Sequence, residues 1–154
     1  MNKTLKICFA ASSGGHLEEI VRLVGLKKDR HSFLITEKGA AETNLCKKIY
    51  YFNQINRKQL TFLPAFVRIF IKSLFILRKE GADCVITTGA LIGYPVALAG
   101  KLLRKKIIYI ESFARVDSAS LTGRLMYPIA DLFIVQWEEG LKFFPKAVYC
   151  GGIF

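Results

Sequence analysis

The sequence predicts an α/β protein with a Rossmann-like, mostly parallel sheet that carries helices on both faces. Short apolar runs of strand length alternate with segments in which apolar residues recur at helical spacing. The first run, residues 5–11, is apolar on both faces, as a central parallel strand must be. The length of 154 residues suits one domain, and the hydrophobic content of 52% excludes a disordered chain. We therefore expect residues 1–154 to form a single domain.

Each element is delimited by its periodicity and by the turn residues around it. The predicted strands cover residues 5–11, 32–36, 49–52, 83–87, 106–110, 132–135 and 147–149. The predicted helices cover residues 16–25, 40–47, 62–79, 93–103 and 118–127. Strands that alternate with helices in this way form βαβ units, and ligands bind such sheets at the carboxyl ends of the strands.

The charge balance indicates an anionic partner. The chain has 23 Lys and Arg against 12 Asp and Glu, a net charge of +11. A basic and apolar chain is compatible with nucleic acid, anionic lipid or a phosphorylated ligand. No recognised nucleic-acid module is present, so nucleic acid is the weakest of these. The four cysteines form no CxxC pair, so neither a metal site nor a disulfide framework is expected. We find neither a signal peptide nor a membrane span and expect a cytosolic chain.

A first glycine-bearing loop follows the first strand. Ser13, Gly14 and Gly15 lead into a helix that begins at His16, and a helix N-terminus with nearby glycines suits a phosphate or diphosphate. The third glycine of the dinucleotide fingerprint and the Walker lysine are missing, so no nucleotide cofactor is expected. His16 is a candidate anion donor or base. The alternative is a tight strand-to-helix turn in which His16 makes a local hydrogen bond.

A second loop of the same kind follows the fourth predicted strand. It contains Thr88, Gly89, Gly93 and Tyr94, and Pro95 suits the first turn of the helix that follows. Either loop alone is a weak signal. Two such loops at one sheet edge are more specific, and they favour a site for an anionic ligand there.

A carboxylate follows the fifth predicted strand. Glu111 at this position is a candidate general base or hydroxyl-binding residue, and Arg115 is a candidate phosphate clamp. The alternative is an ordinary ion pair between Glu111 and Arg115 at helical spacing.

The helix predicted at residues 62–79 is too apolar to bury only one face. Its basic residues Arg68, Lys72 and Lys79 fall on one stripe, beside aromatic residues that include Phe66 and Phe70. Basic residues next to exposed aromatics are typical of a surface that binds an anionic membrane. The alternative is a core helix with a solvated basic edge.

Together these motifs resemble the family of the fourteenth asparagine-linked-glycosylation protein, whose bacterial members serve capsule and exopolysaccharide synthesis. The resemblance is carried by residues 12–16, by the loop at residues 88–95, and by the strings Glu-Ser-x-Ala-Arg-Val at 111–116 and Tyr-Pro-x-Ala-Asp at 127–131. The two glycine loops and Glu111 also look like those of the peptidoglycan lipid-intermediate glycosyltransferase.

The resemblance implies the N-terminal half of a split GT-B glycosyltransferase of the inverting type. A second polypeptide would bind the UDP-sugar, and this chain would recruit it to the cytoplasmic face of the bacterial plasma membrane as a peripheral protein. This chain would also hold a polyprenyl-diphosphate-linked acceptor through the residues of both glycine loops and Arg115. Glu111 would be the base that deprotonates the acceptor, with His16 as the second candidate. Two alternatives are a non-catalytic adaptor of the partner and a stand-alone nucleotide-binding enzyme.

Overall fold

The computed structural model of the chain describes residues 4–25, 29–40, 43–56 and 61–154. The strands of these segments are β1 (Ile7–Ala11), β2 (Asp29–Glu37), β3 (Cys46–Phe52), β4 (Cys84–Gly89), β5 (Lys106–Ile110), β6 (Leu132–Val135) and β7 (Val148–Tyr149). The α-helices are α1 (Gly15–Val24), α2 (Phe62–Glu80), α3 (Ala90–Leu102) and α4 (Leu121–Met126), and a 3₁₀ helix covers Glu138–Lys142.

The strands form one parallel sheet in the order β3-β2-β1-β4-β5-β6-β7. The order reverses between β1 and β4, which is the point where sheets of this type bind ligands. Both predicted glycine loops follow these two strands and therefore meet at the reversal. The predicted fold class, a Rossmann-like sheet with helices on both faces, is confirmed.

Two apolar layers cover the sheet, as the alternation of side chains along β1 requires. Cys8 and Ala10 face a core formed with α2, α3 and α4, whereas Phe9 and Ala11 face a smaller core under α1. The larger core is tight where α3 crosses the sheet. A methyl group on Gly100 would lie only 2.9 Å from both Val85 and Ile107, so a residue without a side chain is needed there.

Three predicted helices differ from the structure. The helix predicted at residues 40–47 is wrong: residues 43–45 are not helical and β3 begins at Cys46, because this segment pairs with β2 (residues 41–42 lie outside the described segments). α3 begins at Ala90, three residues early, so Pro95 lies in its second turn. α4 is shorter than predicted, because Ser120 caps it by accepting a hydrogen bond from the Gly123 N–H at 2.8 Å.

Within the described ranges, no helix has both the length and the apolar character that crossing a membrane requires. The same ranges contain no group of His, Cys, Asp or Glu side chains arranged to hold a metal ion.

Candidate functional site

A cleft of about 740 Å³ opens at the carboxyl edge of the sheet, beside the reversal in strand order. It lies between the starts of α1, α3 and α4 and the segments that follow β3 and β5. The lining residues are His16, Gln54, Ile55, Asn56, Ala90, Leu91, Tyr109, Ser112, Ala114, Arg115, Ser120, Leu121 and Thr122. Of the residues predicted for the site, His16 and Arg115 line this cleft directly.

The first glycine loop is fixed by a buried carboxylate at the end of β2. Glu37 accepts hydrogen bonds from the Ser12 hydroxyl at 3.2 Å and from both the N–H and the hydroxyl of Ser13, at 3.2 and 3.1 Å. Ser13 is one of the predicted acceptor-binding residues, but its hydroxyl and its N–H are both engaged by Glu37 within the described chain. Gly14 has a φ of +81°, and a methyl group placed on Gly14 or Gly15 would meet no described atom within 4 Å other than those of the adjoining backbone and neighbouring residues. The loop thus borders open space.

His16 is the predicted site residue with an unused polar atom. In the described part of the chain its Nδ1 is buried and has no hydrogen-bond partner. Burial lowers the pKa of His16 more than a hydrogen bond with the Thr88 backbone and the charges of Glu111 and Glu37 raise it. The imidazole is therefore neutral near pH 7 and able to accept a proton.

The carboxylate of Glu111 is only 3% exposed and is surrounded by donors. One oxygen accepts from the Tyr109 hydroxyl at 3.2 Å and from the Ser112 N–H at 3.0 Å. The other accepts from the N–H and hydroxyl of Ser120, at 3.3 and 3.0 Å. Burial raises the pKa of Tyr109, which keeps its phenol protonated as a donor. Glu111 therefore ties both ends of the loop at residues 112–120 to the sheet.

A second buried carboxylate, Glu19 on α1, holds the same loop from the other side. It accepts from the Ser112 hydroxyl at 3.0 Å and from the Phe113 N–H at 3.1 Å. The side-chain amide of Gln136 donates to Glu19 at 3.4 Å and to the backbone carbonyl of Glu111 at 3.0 Å. Sequence reasoning missed Glu19 and Gln136, because neither falls in a motif or on an apolar stripe.

Arg115 stands at the exposed turn of this loop, and its N–H donates to the Ser112 carbonyl at 2.9 Å. The described residues show no ion pair between Arg115 and Glu111, because residues 112–120 are not helical. The helical-spacing alternative is therefore wrong, and Arg115 lines the cleft without forming an ion pair with Glu111.

The second glycine loop supports the cleft more than it lines it. The Thr88 hydroxyl donates to the His16 carbonyl at 2.7 Å and so ties the two loops together. Gly89, with a φ of +100°, lies against the Tyr109 hydroxyl. Gly93 packs against Thr87, and the ring of Tyr94 lies 6.0 Å from that of Phe66. The lining residues from this loop are Ala90 and Leu91 instead.

The outward face of α2 carries both charge and apolar surface. Arg68, Lys72 and Lys79 are exposed as predicted, whereas Phe66 and Phe70 are half-buried and Phe70 packs against the core. The exposed apolar residues recur at intervals of four and are Leu63 (67% exposed), Val67 (44%), Ile71 (46%) and Phe75 (68%). The same spacing rule, applied to every apolar residue of the segment, would have found this stripe.

The fold is a Rossmann-like domain of the kind that forms one half of the GT-B fold. Acinetobacter baumannii MurG matches with a TM-score of 0.69 and 14% identity over 86% of this chain. UDP-N-acetylglucosamine 2-epimerase from Rickettsia bellii matches with a TM-score of 0.72 and 15% identity over 98% of it. The chain spans 41% and 46% of these two proteins, so it corresponds to less than half of each.

The family follows from the sequence comparisons. Residues 35–153 match the family described as "Oligosaccharide biosynthesis protein Alg14 like", and the chain belongs to this family. The human UDP-N-acetylglucosamine transferase subunit ALG14 is 28% identical, with 98% of this chain and 84% of the human protein aligned. The Candida albicans subunit of the same name is also 28% identical, over 90% of this chain and 74% of that protein.

Proposed function

We propose that this chain is the acceptor-binding subunit of a two-chain glycosyltransferase. A second chain would bind the UDP-sugar, and the sugar would pass to a polyprenyl-diphosphate-linked saccharide. Family membership supports this proposal, since the relatives are named as subunits of a UDP-N-acetylglucosamine transferase. The observation that carries it is the cleft at the strand-order reversal, which contains a histidine whose lowered pKa keeps it neutral and whose Nδ1 has no hydrogen-bond partner among the described residues.

The cleft suits the acceptor half of an inverting transfer. The acceptor hydroxyl oxygen would form a bond to the anomeric carbon of the donor sugar while the bond from that carbon to the UDP oxygen breaks. The hydroxyl proton would pass to His16, and UDP would leave with the bonding electron pair. His16 is the better base of the two predicted ones, because four donors already occupy Glu111. Glu111 then acts as a positioning residue for the loop that carries Arg115.

The outward face of α2 would rest on the membrane. Its stripe of Leu63, Val67, Ile71 and Phe75 offers apolar surface, and the neighbouring Arg68, Lys72 and Lys79 attract anionic headgroups. We propose that the chain is peripheral on the cytoplasmic face of a bacterial plasma membrane, where the complex serves capsule or exopolysaccharide synthesis.

One observation favours a second function, that of a non-catalytic adaptor. Because Glu111 and Glu19 both hold a loop, His16 is the predicted base that the described residues leave available for acid–base work beside the cleft. If the partner chain carries the base, this chain would contribute only acceptor and membrane binding.

Reconstituted sugar transfer separates these functions. The chain is assayed alone and together with the product of a neighbouring reading frame that binds a UDP-sugar, and UDP release and labelled glycolipid are measured. We expect transfer only from the pair, and a loss of about 10²-fold or more in kcat for His16→Ala, the range that general bases contribute. Glu18→Gln, an exposed change on the same helix, is the matched control.

Each outcome points to one function. Full turnover by the isolated chain, or tight binding of a free dinucleotide to it, would exclude the split enzyme. Normal turnover of the His16→Ala pair, with both chains still associated, would favour the adaptor.

A further inference from the structure

We propose that a separate cationic groove, and not the glycine loops, holds the diphosphate of the lipid-linked acceptor. This inference rests on the function proposed above and names where one part of that substrate binds. The groove has a volume of about 350 Å³ and lies between the end of β3 and the first turns of α2. Lys38, Arg68 and Lys72 line it, together with apolar and neutral residues such as Ile55 and Ile69.

The three cations have no anionic partner in the described parts of the chain. No Asp or Glu of the described segments lines the groove, and the ion pairs within those segments involve other basic residues. The nearest acidic residue in sequence, Glu37, is buried and accepts hydrogen bonds from Ser12 and Ser13. A hydrogen bond of 2.8 Å from the Lys38 N–H to the Phe52 carbonyl fixes Lys38 beside the end of β3.

Such a concentration of positive charge suits a diphosphate. A guanidinium can bind phosphate oxygens in a bidentate manner, and ammonium groups add point charges beside it. The start of α2 also lines the groove through the N-cap residue Thr61 and through Pro64 and Ala65 of the first turn, and the partial positive charge of a helix N-terminus adds to the attraction.

The position of the groove matches the order of groups in a polyprenyl-diphosphate-linked sugar. On one side, Pro64, Arg68 and Lys72 belong both to the groove and to the exposed apolar surface of α2. On the other side, Ile55 belongs both to the groove and to the cleft that contains His16. The groove thus lies between the apolar surface and the polar cleft, just as the diphosphate lies between the prenyl tail and the sugar. The glycine loop at His16 would then face the acceptor sugar.

Binding of farnesyl diphosphate, a short soluble prenyl diphosphate, tests the groove on the full chain. We expect Arg68→Gln and Lys72→Gln each to weaken binding about tenfold through loss of a charge-assisted contact. Lys79→Gln removes an exposed cation of the same helix outside the groove, and Arg115→Gln removes the cation of the cleft. Both should leave the affinity within about twofold, since neither residue lines the groove.

The outcomes decide between the two sites. A loss of affinity in Arg115→Gln with normal affinity in both groove variants would overturn the proposal and return the diphosphate to the cleft. If Lys79→Gln lowered the affinity as much as the groove variants do, the net positive charge of the chain would explain the effect. That result would also overturn the proposal. Inorganic diphosphate should bind more weakly than farnesyl diphosphate; equal affinity would mean that the groove recognises free diphosphate and not a lipid.

Sugar transfer by the reconstituted pair distinguishes failure of this inference from failure of the proposed function. We expect Arg68→Gln to raise KM for the lipid acceptor and to leave KM for the UDP-sugar unchanged. If both groove variants transferred sugar only with the partner and had an unaltered KM for the acceptor, the groove proposal would be refuted and the proposed function would stand. If the groove variants bound farnesyl diphosphate more weakly but the pair transferred no sugar, the proposed function would be refuted and the groove would stand.

Discussion

Replacing Glu111 by glutamine tests whether this carboxylate holds the loop or performs the chemistry. Glutamine keeps the shape, but its amide oxygen can face only one of the two donor sets. If the oxygen faces Tyr109 and Ser112, the new NH₂ group faces the Ser120 N–H, which loses its acceptor. An unsatisfied buried donor costs about 1–3 kcal/mol, and hydrogen bonds to a charged group contribute about 1.5–3 kcal/mol each.

We therefore expect Glu111→Gln to lower the free energy of unfolding by about 3 kcal/mol. For a chain of this length, each kcal/mol shifts Tm by about 2–4 °C, so the expected fall is about 6–12 °C. Thermal and urea unfolding followed by circular dichroism measure the loss. Limited trypsin digestion at Arg115 reports opening of the loop separately, because this arginine is exposed at its turn.

Glu18→Gln serves as the control, because it removes an exposed carboxylate that accepts a hydrogen bond from the Arg22 guanidinium at 3.0 Å. We expect this change to lower the free energy of unfolding by less than about 1 kcal/mol. If Glu111→Gln cost no more than this control and yet abolished sugar transfer by the reconstituted pair, the loop-holding role would be refuted and Glu111 would be the base.

Two further perturbations address stability and membrane binding. Burial alone would raise the pKa of Glu80, but hydrogen bonds from Lys6, Tyr50 and Lys48 outweigh it and lower the pKa to about 2. The stabilisation, about 2 kcal/mol after allowing for the exposed lysines, is present above the unfolded-state pKa of about 4.3 and is lost as the pH falls towards 2. In urea unfolding, Glu80→Gln should therefore lower the free energy of unfolding most at pH 6 and little near pH 2. The double variant Ile71→Ser/Phe75→Ser should bind vesicles with anionic lipid about thirtyfold more weakly, from about 1 kcal/mol per partly inserted side chain.

Both predictions have internal controls. Glu139→Gln, at an exposed position, should show no comparable pH-dependent loss, and a constant loss in Glu80→Gln from pH 6 to 2 would contradict the ion-pair explanation. Leu102→Ser removes an exposed leucine from the end of α3, away from the stripe. Equal vesicle binding by this variant and the α2 double variant would contradict a specific membrane face.

The sequence by itself predicted the fold class, most strands and a ligand site at the carboxyl edge of the sheet, which is the edge where the cleft lies. Apolar periodicity is a local property, so β1, β5 and β6 could be located from a few residues each. Glycine loops after two strands of a parallel sheet must meet at one edge, and this placed His16 at the site. The short helix predicted at residues 40–47 failed because pairing with β2, a non-local contact, governs the segment from Cys46 onward.

Only the tertiary structure decided what the polar groups do. Glu19 accepts a hydrogen bond from Ser112, which is 93 residues away in the sequence, and Gln136 donates one to Glu19, which is 117 residues away. No local sequence pattern predicts contacts at such separations. The groove between β3 and α2 likewise forms only because the fold brings Lys38 and Arg68 into the same lining. Local spacing fixes which face of an element is apolar, whereas burial and partners depend on which distant element packs against it.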